Sequence, residues 1–380
     1  MPIINSKIPN MDGFILTVSG PITPDNLGNT LMHEHLFLDL RKTHFPHEKQ
    51  IRVPGKSEVF LTSDEFPATE LSIWLKRLSS DNIDLALKGE PIADNYVLED
   101  EEMAIREVQQ YHQANGHSIV DVTSIGLKRD PEALLRVSKA TKLNIIMGTS
   151  HYQKVYHPED MDQRKVQDLT KAYVRDITEG VYDTKIRSGI IGEVGINGAP
   201  ITENEIKVIR ASAQASILTG AAITFHRGGD VTERHKVLDI LEDEGVNLSR
   251  VILGHQDELT KNLSLLRELL ERNVFIQFDL ISRDREPAFP NNPYRSDQTL
   301  TEDIAEAIVQ LTEEGYEDRI LLSHDVCQKV HMTEFGGAGY AYILNHFLPR
   351  LQGMGISKKQ TDKFICINPT TILPFIKPER

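Results

Sequence analysis

Cysteine is scarce in this 380-residue chain, which carries Cys327 and Cys366 and no others. Two thiols in that length exclude a disulfide framework and fit a reducing compartment. Positive charge is in deficit too: 42 Lys and Arg face 56 Asp and Glu, a formal net charge of -14. Non-specific binding to nucleic acid or to anionic membranes is therefore not expected, because both call for a basic patch. No apolar run reaches the ~20 residues that a spanning helix needs. Met1–Gly13 has no basic segment followed by an apolar one, so a signal peptide is not expected either. The expectation is a cytoplasmic protein that acts on a small molecule. No Gly-x-Gly-x-x-Gly turn opens a helix after an early strand, which removes the usual mark of an open dinucleotide-binding sheet. Sequence repeats and low-complexity segments are absent as well.

What is present suits a soluble globular protein: 39% hydrophobic and 26% charged residues. The length suffices for one barrel of ordinary enzyme size with insertions. Gly13–Pro21 is rich in β-formers and bounded by turn residues, a short strand or hairpin ahead of the main fold. The run Leu31–Leu40 follows. Residues 41–99 break the pattern and read as an elaborated loop insertion after the first strand, too long for a plain connection. From Glu101 onward, apolar runs alternate with helical segments. The runs are Ser118–Thr123, Leu143–Gly148, Ser188–Gly195, Ala221–His226, Arg250–His255, Val274–Asp279 and Arg319–Asp325. With the strand that holds His33 they make eight. Strands alternating with helices argue for a parallel sheet, and eight such units argue for a closed (β/α)8 TIM barrel, one α/β domain over 1–380.

Chemistry concentrates in Met32-His33-Glu34-His35-Leu36. On a strand, His33 and His35 point to one face and Glu34 to the other. On a helix the two imidazoles would stand about 200° apart and could not share an ion. The C-terminal strand ends add Glu193, His226, His255 and Asp325, and in a barrel that end gathers ligand-binding and catalytic groups. Four imidazoles and two carboxylates suit Zn, and also Mn, Co or Fe. Six ligands are too many for one ion and suit two divalent ions sharing a carboxylate. Asp325 can bind a metal and also accept the nucleophile's proton, which makes it the expected catalytic residue. By strand parity His324 and Glu34 face the surrounding helices.

The pieces Met32–Leu36, Gly189–Gly195, Thr224–His226, Gly254–Asp257, Leu322–Asp325 and Phe335–Tyr340 together resemble the phosphotriesterase-related family of the amidohydrolase superfamily. The resemblance implies a binuclear zinc-type centre. His33, His35 and Asp325 would hold the buried ion and His226 and His255 the more exposed one, with Glu193 bridging. It also implies that Asp325 shuttles the proton, and it makes a homodimer plausible. Two departures stand out. Phosphotriesterases proper bridge their metals with a carboxylated lysine, where this chain has Glu193. Strand seven, Gln277-Phe278-Asp279, has no proton-relaying histidine. Both turn the expectation away from organophosphates. A metal-bridging hydroxide attacking a lactone, carboxyl ester or N-acyl amide is expected, with phosphotriester hydrolysis and non-catalytic ligand binding as alternatives. Tyr152 and Arg227 are candidate substrate contacts, for a carbonyl oxygen and an anionic group respectively. Lys128 and Arg129 are further candidates for the anion, although solvated rim charges are the commoner role.

Overall fold

The computed structural model describes residues 10–44, 68–227, 231–285 and 300–378. Strands β1 (Ile15–Thr17) and β2 (Gly20–Ile22) form the expected antiparallel hairpin. Strand β3 (Thr30–Glu34) opens the main sheet, and the short strand β4 (Leu38–Asp39) pairs antiparallel with β5 (Val97–Leu98), closing the ends of the insertion against each other. Seven further strands follow: β6 (Ser118–Asp121), β7 (Asn144–Thr149), β8 (Ile190–Val194), β9 (Ile223–Phe225), β10 (Val251–Leu253), β11 (Phe275–Phe278) and β12 (Ile320–Leu322). Together with β3 they form one parallel sheet in sequential order, curled into a nearly closed barrel. The eight expected strands are thus all present.

The interior of the ring is a layer to which seven of the eight strands contribute. Met32, Val120, Ile146, Ile190, Ile252, Phe275 and Leu321 meet there with Ala222 just before β9, and Ile15, Leu27, Ile372 and Leu373 seal its base. Strands with apolar side chains on both faces read as continuous hydrophobic runs, which is why they were legible. The outer faces pack against helices, among them α4 (Glu101–Gln113), α5 (Pro131–Thr141), α6 (Val166–Thr178), α7 (Glu203–Thr219), α8 (Val231–Glu244), α9 (Leu263–Glu271) and α10 (Thr301–Glu313). Their starts follow local chemistry. Asp100 accepts from the Met103 amide, Asp130 precedes Pro131 and accepts from the Ala133 amide, and Thr202 with Glu205 forms a capping box.

Within the insertion lie α1 (Arg41–His44), α2 (Ala68–Trp74) and α3 (Ile83–Leu87); residues 45–67 fall outside the described residues. The segment that follows α3 docks on the loop after β12. Asn95 Nδ2 donates to Gln328 Oε1 at 2.8 Å, the Val330 amide donates to Asn95 Oδ1 at 3.0 Å, and Lys329 Nζ lies 2.7 Å from Asp94. Leu78, Ala86 and Ile92 bury Val330 in a small apolar cluster.

The C-terminal region is not built of plain α-helices. π-helical turns over Ile343–Phe347 and Lys363–Ile367 run into α11 (Leu348–Gly353) and α13 (Asn368–Ile372), the second turn being preceded by α12 (Lys358–Asp362). Pro349 and Pro369 explain both turns. Neither has an N–H to give the carbonyl four residues back, so the ladder widens just before each proline. Among the described residues no helix is long and apolar enough to cross a membrane.

Candidate metal centre

All six expected ligands converge at the C-terminal mouth of the barrel. Glu193 lies at the centre. Its Oε2 is 2.9 Å from His226 Nδ1 and 3.2 Å from His33 Nε2, and its Oε1 is 3.5 Å from His35 Nε2. His35 Nε2 also lies 3.2 Å from Asp325 Oδ1, and His255 Nε2 lies 2.9 Å from His226 Nδ1. Two triads have ligand atoms within 4.8 Å of one another: His33, His35 and Asp325, and His33, Glu193 and His255. All six side chains are buried.

Backbone irregularity aims two of them. Met32 and Ile190 belong to the interior layer, so plain alternation would turn His33 and Glu193 outward. The β3–β6 pairing shifts register between Leu31 and Glu34, and the β8–β9 pairing shifts between Ile191 and Val194. Each shift turns the following ligand into the barrel, the familiar work of a β-bulge beside a site. Gly192 makes the second shift possible. Its φ is +133°, and a Cβ there would lie 2.3 Å from the Thr224 carbonyl oxygen.

Burial disfavours every charge in this pocket, yet the carboxylates stay ionised. Burial pushes Glu193 up, but His33 and His226 more than offset this and hold it well below the usual range. Burial also pushes Asp325 up. Arg283, whose Nη2 is 2.9 Å from Asp325 Oδ2, and His35 reverse that and hold it far down. Against the burial that would lower it, Glu193 and Asp279 raise His33 to about 10. Burial and the neighbouring His255 push His226 down to about 3. Three buried carboxylates, Glu193, Asp279 and Asp325, thus share this pocket with one buried guanidinium, that of Arg283. Glu193 and Asp279 flank the fully buried His33 ring at 3.2 and 3.3 Å, neither in good hydrogen-bond alignment. An anionic cradle of buried nitrogen and oxygen donors fits divalent cations.

A second layer orients the ligands. Asp279 accepts from His255 Nδ1 at 2.5 Å and from the His255 amide at 3.1 Å, and its Oδ2 lies 3.3 Å from His33 Nδ1. Thr123 Oγ1 holds His35 Nδ1 at 2.9 Å. Gln153 Nε2 lies 2.9 Å from His226 Nε2. These partners leave one nitrogen of His35 and of His255 facing the cluster, as metal-bound imidazoles require.

Tyr152 lies at the cluster, with its hydroxyl 3.1 Å from His226 Nδ1. Burial raises its pKa well above the usual value, so the phenol keeps its proton. The candidate anion contacts are each paired with a carboxylate. Arg227 Nη1 pairs with Glu258 at 2.9 Å, Arg129 is buried against Asp176 at 2.6 Å, and Lys128 Nζ pairs with Asp39 at 2.9 Å. Glu34 and His324 turn to the helix side of the barrel, as strand parity implies, and bond to each other at 3.0 Å. Asp279 and Arg283 were not among the expected site residues. Asp279 did carry a signal, since it ends strand seven where His226 and His255 end theirs. Arg283 lies in a loop and carried none.

A model of the phosphotriesterase family matches residues 13–373. The chain belongs to the phosphotriesterase family. A phosphotriesterase-related protein of Nematostella vectensis is 33% identical over 366 residues, covering 96% of this chain and 99% of that one. A protein of Tetraodon nigroviridis named N-acetyltaurine hydrolase is 31% identical, with 96% and 99% covered. Among solved structures, a resiniferatoxin-binding protein from Rhodobacter sphaeroides superposes with a TM-score of 0.85 at 32% identity, covering 97% of each chain. Phosphotriesterase-family members generally depend on a binuclear metal centre, and the clustered ligands here could hold such ions.

Proposed function

We propose that this chain, a hydrolase of the phosphotriesterase family, cleaves a carbonyl substrate and that an N-acyl amide is its first candidate. His33, His35, Glu193, His226, His255 and Asp325 would hold two divalent cations, zinc first among them. The observation that carries the reading is the position of Glu193. One carboxylate reaches imidazoles of both halves of the cluster, as a bridge between two ions must. Cations bound there would supply activated water at neutral pH and Lewis acidity toward the substrate oxygen.

The chain's own residues supply the rest. Asp325 is ionised and so can take the proton of the attacking water; Arg283 fixes its Oδ2 while Oδ1 faces His35. Tyr152 remains protonated and can donate to a carbonyl oxygen placed beside His226. A relative named N-acetyltaurine hydrolase supports an amide substrate, since N-acetyltaurine is an N-acyl amide. A second reading, ligand capture without turnover, draws on the neighbour described as a resiniferatoxin-binding protein.

The test is a screen of metal-reconstituted protein against N-acyl amide, lactone, ester and phosphotriester panels. Turnover should be highest on amides, vanish with a chelator and vanish in Asp325→Ala. Two bound equivalents of metal without turnover of any panel would leave the capture reading. Turnover that survives complete chelation would overturn both the metal assignment and the role of Asp325.

A further inference from the structure

The ring of strands has one seam. Seven of its eight junctions are β-ladders, but β12 and β3, the first and last strands of the sheet, share no ladder among the described residues. His33 lies on β3, His35 just past its end and Asp325 three residues past the end of β12, so the seam runs beside the buried half of the metal cluster.

Glu34 makes most of the side-chain links across it. Glu34 lies between His33 and His35 in sequence but faces the helices, and it is fully buried. Its Oε1 accepts from Ser323 Oγ at 2.8 Å, from the His324 amide at 2.8 Å and from His324 Nδ1 at 3.0 Å; its Oε2 accepts from the Val326 amide at 2.8 Å. Ser323 Oγ in turn accepts from the His33 amide at 2.9 Å, and the Asp325 amide donates to the His33 carbonyl at 3.1 Å. His324 Nε2 accepts from the Ile343 amide at 3.1 Å, which leaves Nδ1 as the donor to Glu34.

The amides on either side of Asp325 therefore converge on one carboxylate. Asp325 itself has φ +50°, a left-handed conformation that a non-glycine residue holds only when its surroundings enforce it. Alternating backbone handedness with converging N–H groups makes an anion-binding nest, and here the anion is the chain's own Glu34. The left-handed turn aims the Asp325 side chain into the barrel while its neighbours are held from outside.

We infer that Glu34 is a positioning residue that closes the barrel seam and sets Asp325 against His33 and His35 in the geometry a metal ion needs. It touches neither substrate nor metal. The inference rests on the metal reading of the proposed function for its consequence, but not for the seam itself.

The test uses the full-length protein and three variants. Glu34→Gln replaces an acceptor with an amino group facing donors; Ser323→Ala removes a single link; Arg250→Lys is a control. Arg250 lies at the opposite end of the barrel, where it donates to the Pro374 carbonyl at 2.8 Å. Amide exchange over residues 323–327 is measured in metal-free protein, and zinc affinity is measured by chelator competition. Glu34→Gln should speed exchange there roughly 10- to 100-fold. It should also weaken zinc binding about 10- to 100-fold, the usual effect of losing an outer partner of a ligand. Ser323→Ala should move both readouts in the same direction by less. Arg250→Lys should lower the melting temperature and leave zinc affinity unchanged.

Wild-type exchange and wild-type zinc affinity in folded Glu34→Gln would overturn the inference. If Glu34→Gln does not fold, Ser323→Ala decides, and wild-type values for it in both readouts would overturn the inference equally. A wild-type protein that binds no divalent metal would sink the proposed function instead, and the exchange comparison would still decide the seam.

Discussion

Asp279 offers the sharpest test of the two-metal reading, because one carboxylate serves an imidazole on each side of the cluster. Its Oδ1 holds His255 Nδ1 at 2.5 Å, and its Oδ2 lies 3.3 Å from His33 Nδ1 and accepts from Gln277 Nε2 at 2.8 Å. Asp279→Asn is nearly isosteric. If its oxygen stays with His255, its amino group faces the Gln277 donor, and the charge beside His33 is gone. Whichever way the amide turns, one imidazole faces an amino group and both lose the carboxylate charge beside them. Losing such a partner costs about 10- to 100-fold in metal affinity, or about 1.4 to 2.8 kcal/mol. Chelator competition with metal quantified in the protein fraction reads this directly. The expected curve has both equivalents displaced at lower chelator concentration than in wild type, with kcat falling in parallel. Wild-type affinity for both equivalents would refute the claim that Asp279 orients the ligands. Loss of one equivalent alone would refute its serving both halves.

Four further predictions concern the same centre. The metal-free His33 ring is raised to about 10, so at neutral pH it carries a proton that a metal ion must displace. Calorimetric titration with zinc in two buffers of different ionisation enthalpy should show at least one proton released, with apparent affinity rising about tenfold per pH unit below 10. The same raised value stabilises the metal-free fold most fully below the ordinary value of 6.5, and that contribution is gone above about 10, so melting temperature should fall across this window. Tyr152→Phe should retain two equivalents of metal and lower kcat about tenfold on the preferred substrate, the loss of one hydrogen bond made in the transition state; an unchanged kcat would remove Tyr152 from the chemistry. Gly192→Ala should destabilise by at least about 2 kcal/mol in denaturant unfolding, because the new Cβ meets the Thr224 carbonyl at 2.3 Å on a backbone at φ +133°.

Strand order and the convergence of the six candidate ligands were legible because both follow from short-range rules. Parallel strands buried on both faces show as apolar runs, and a barrel gathers its chemistry at one end of them. The outer layer was harder to read. Parity put Glu34 on the outward face, but in a barrel that face is a second interior, where a carboxylate must find donors. Those donors, Ser323 to Val326, lie some 290 positions away. Asp279 was visible as a position lacking histidine, and its worth as a carboxylate depends on where His255 and His33 end up. Register shifts before His33 and Glu193 have no composition of their own beyond Gly192. Docking of residues 78–96 on the loop after β12 depends on Asn95 meeting Gln328 and Val330, a tertiary match that no local pattern announces.

That docking has a practical corollary for anyone reshaping this enzyme. Asp94 and Asn95 grip Gln328, Lys329 and Val330, which begin three residues beyond Asp325. A graft of the 41–99 segment from a relative would pull on the backbone that carries Asp325 unless residues 328–330 travelled with it. The two stretches, more than 200 positions apart in the chain, behave as one exchangeable cassette.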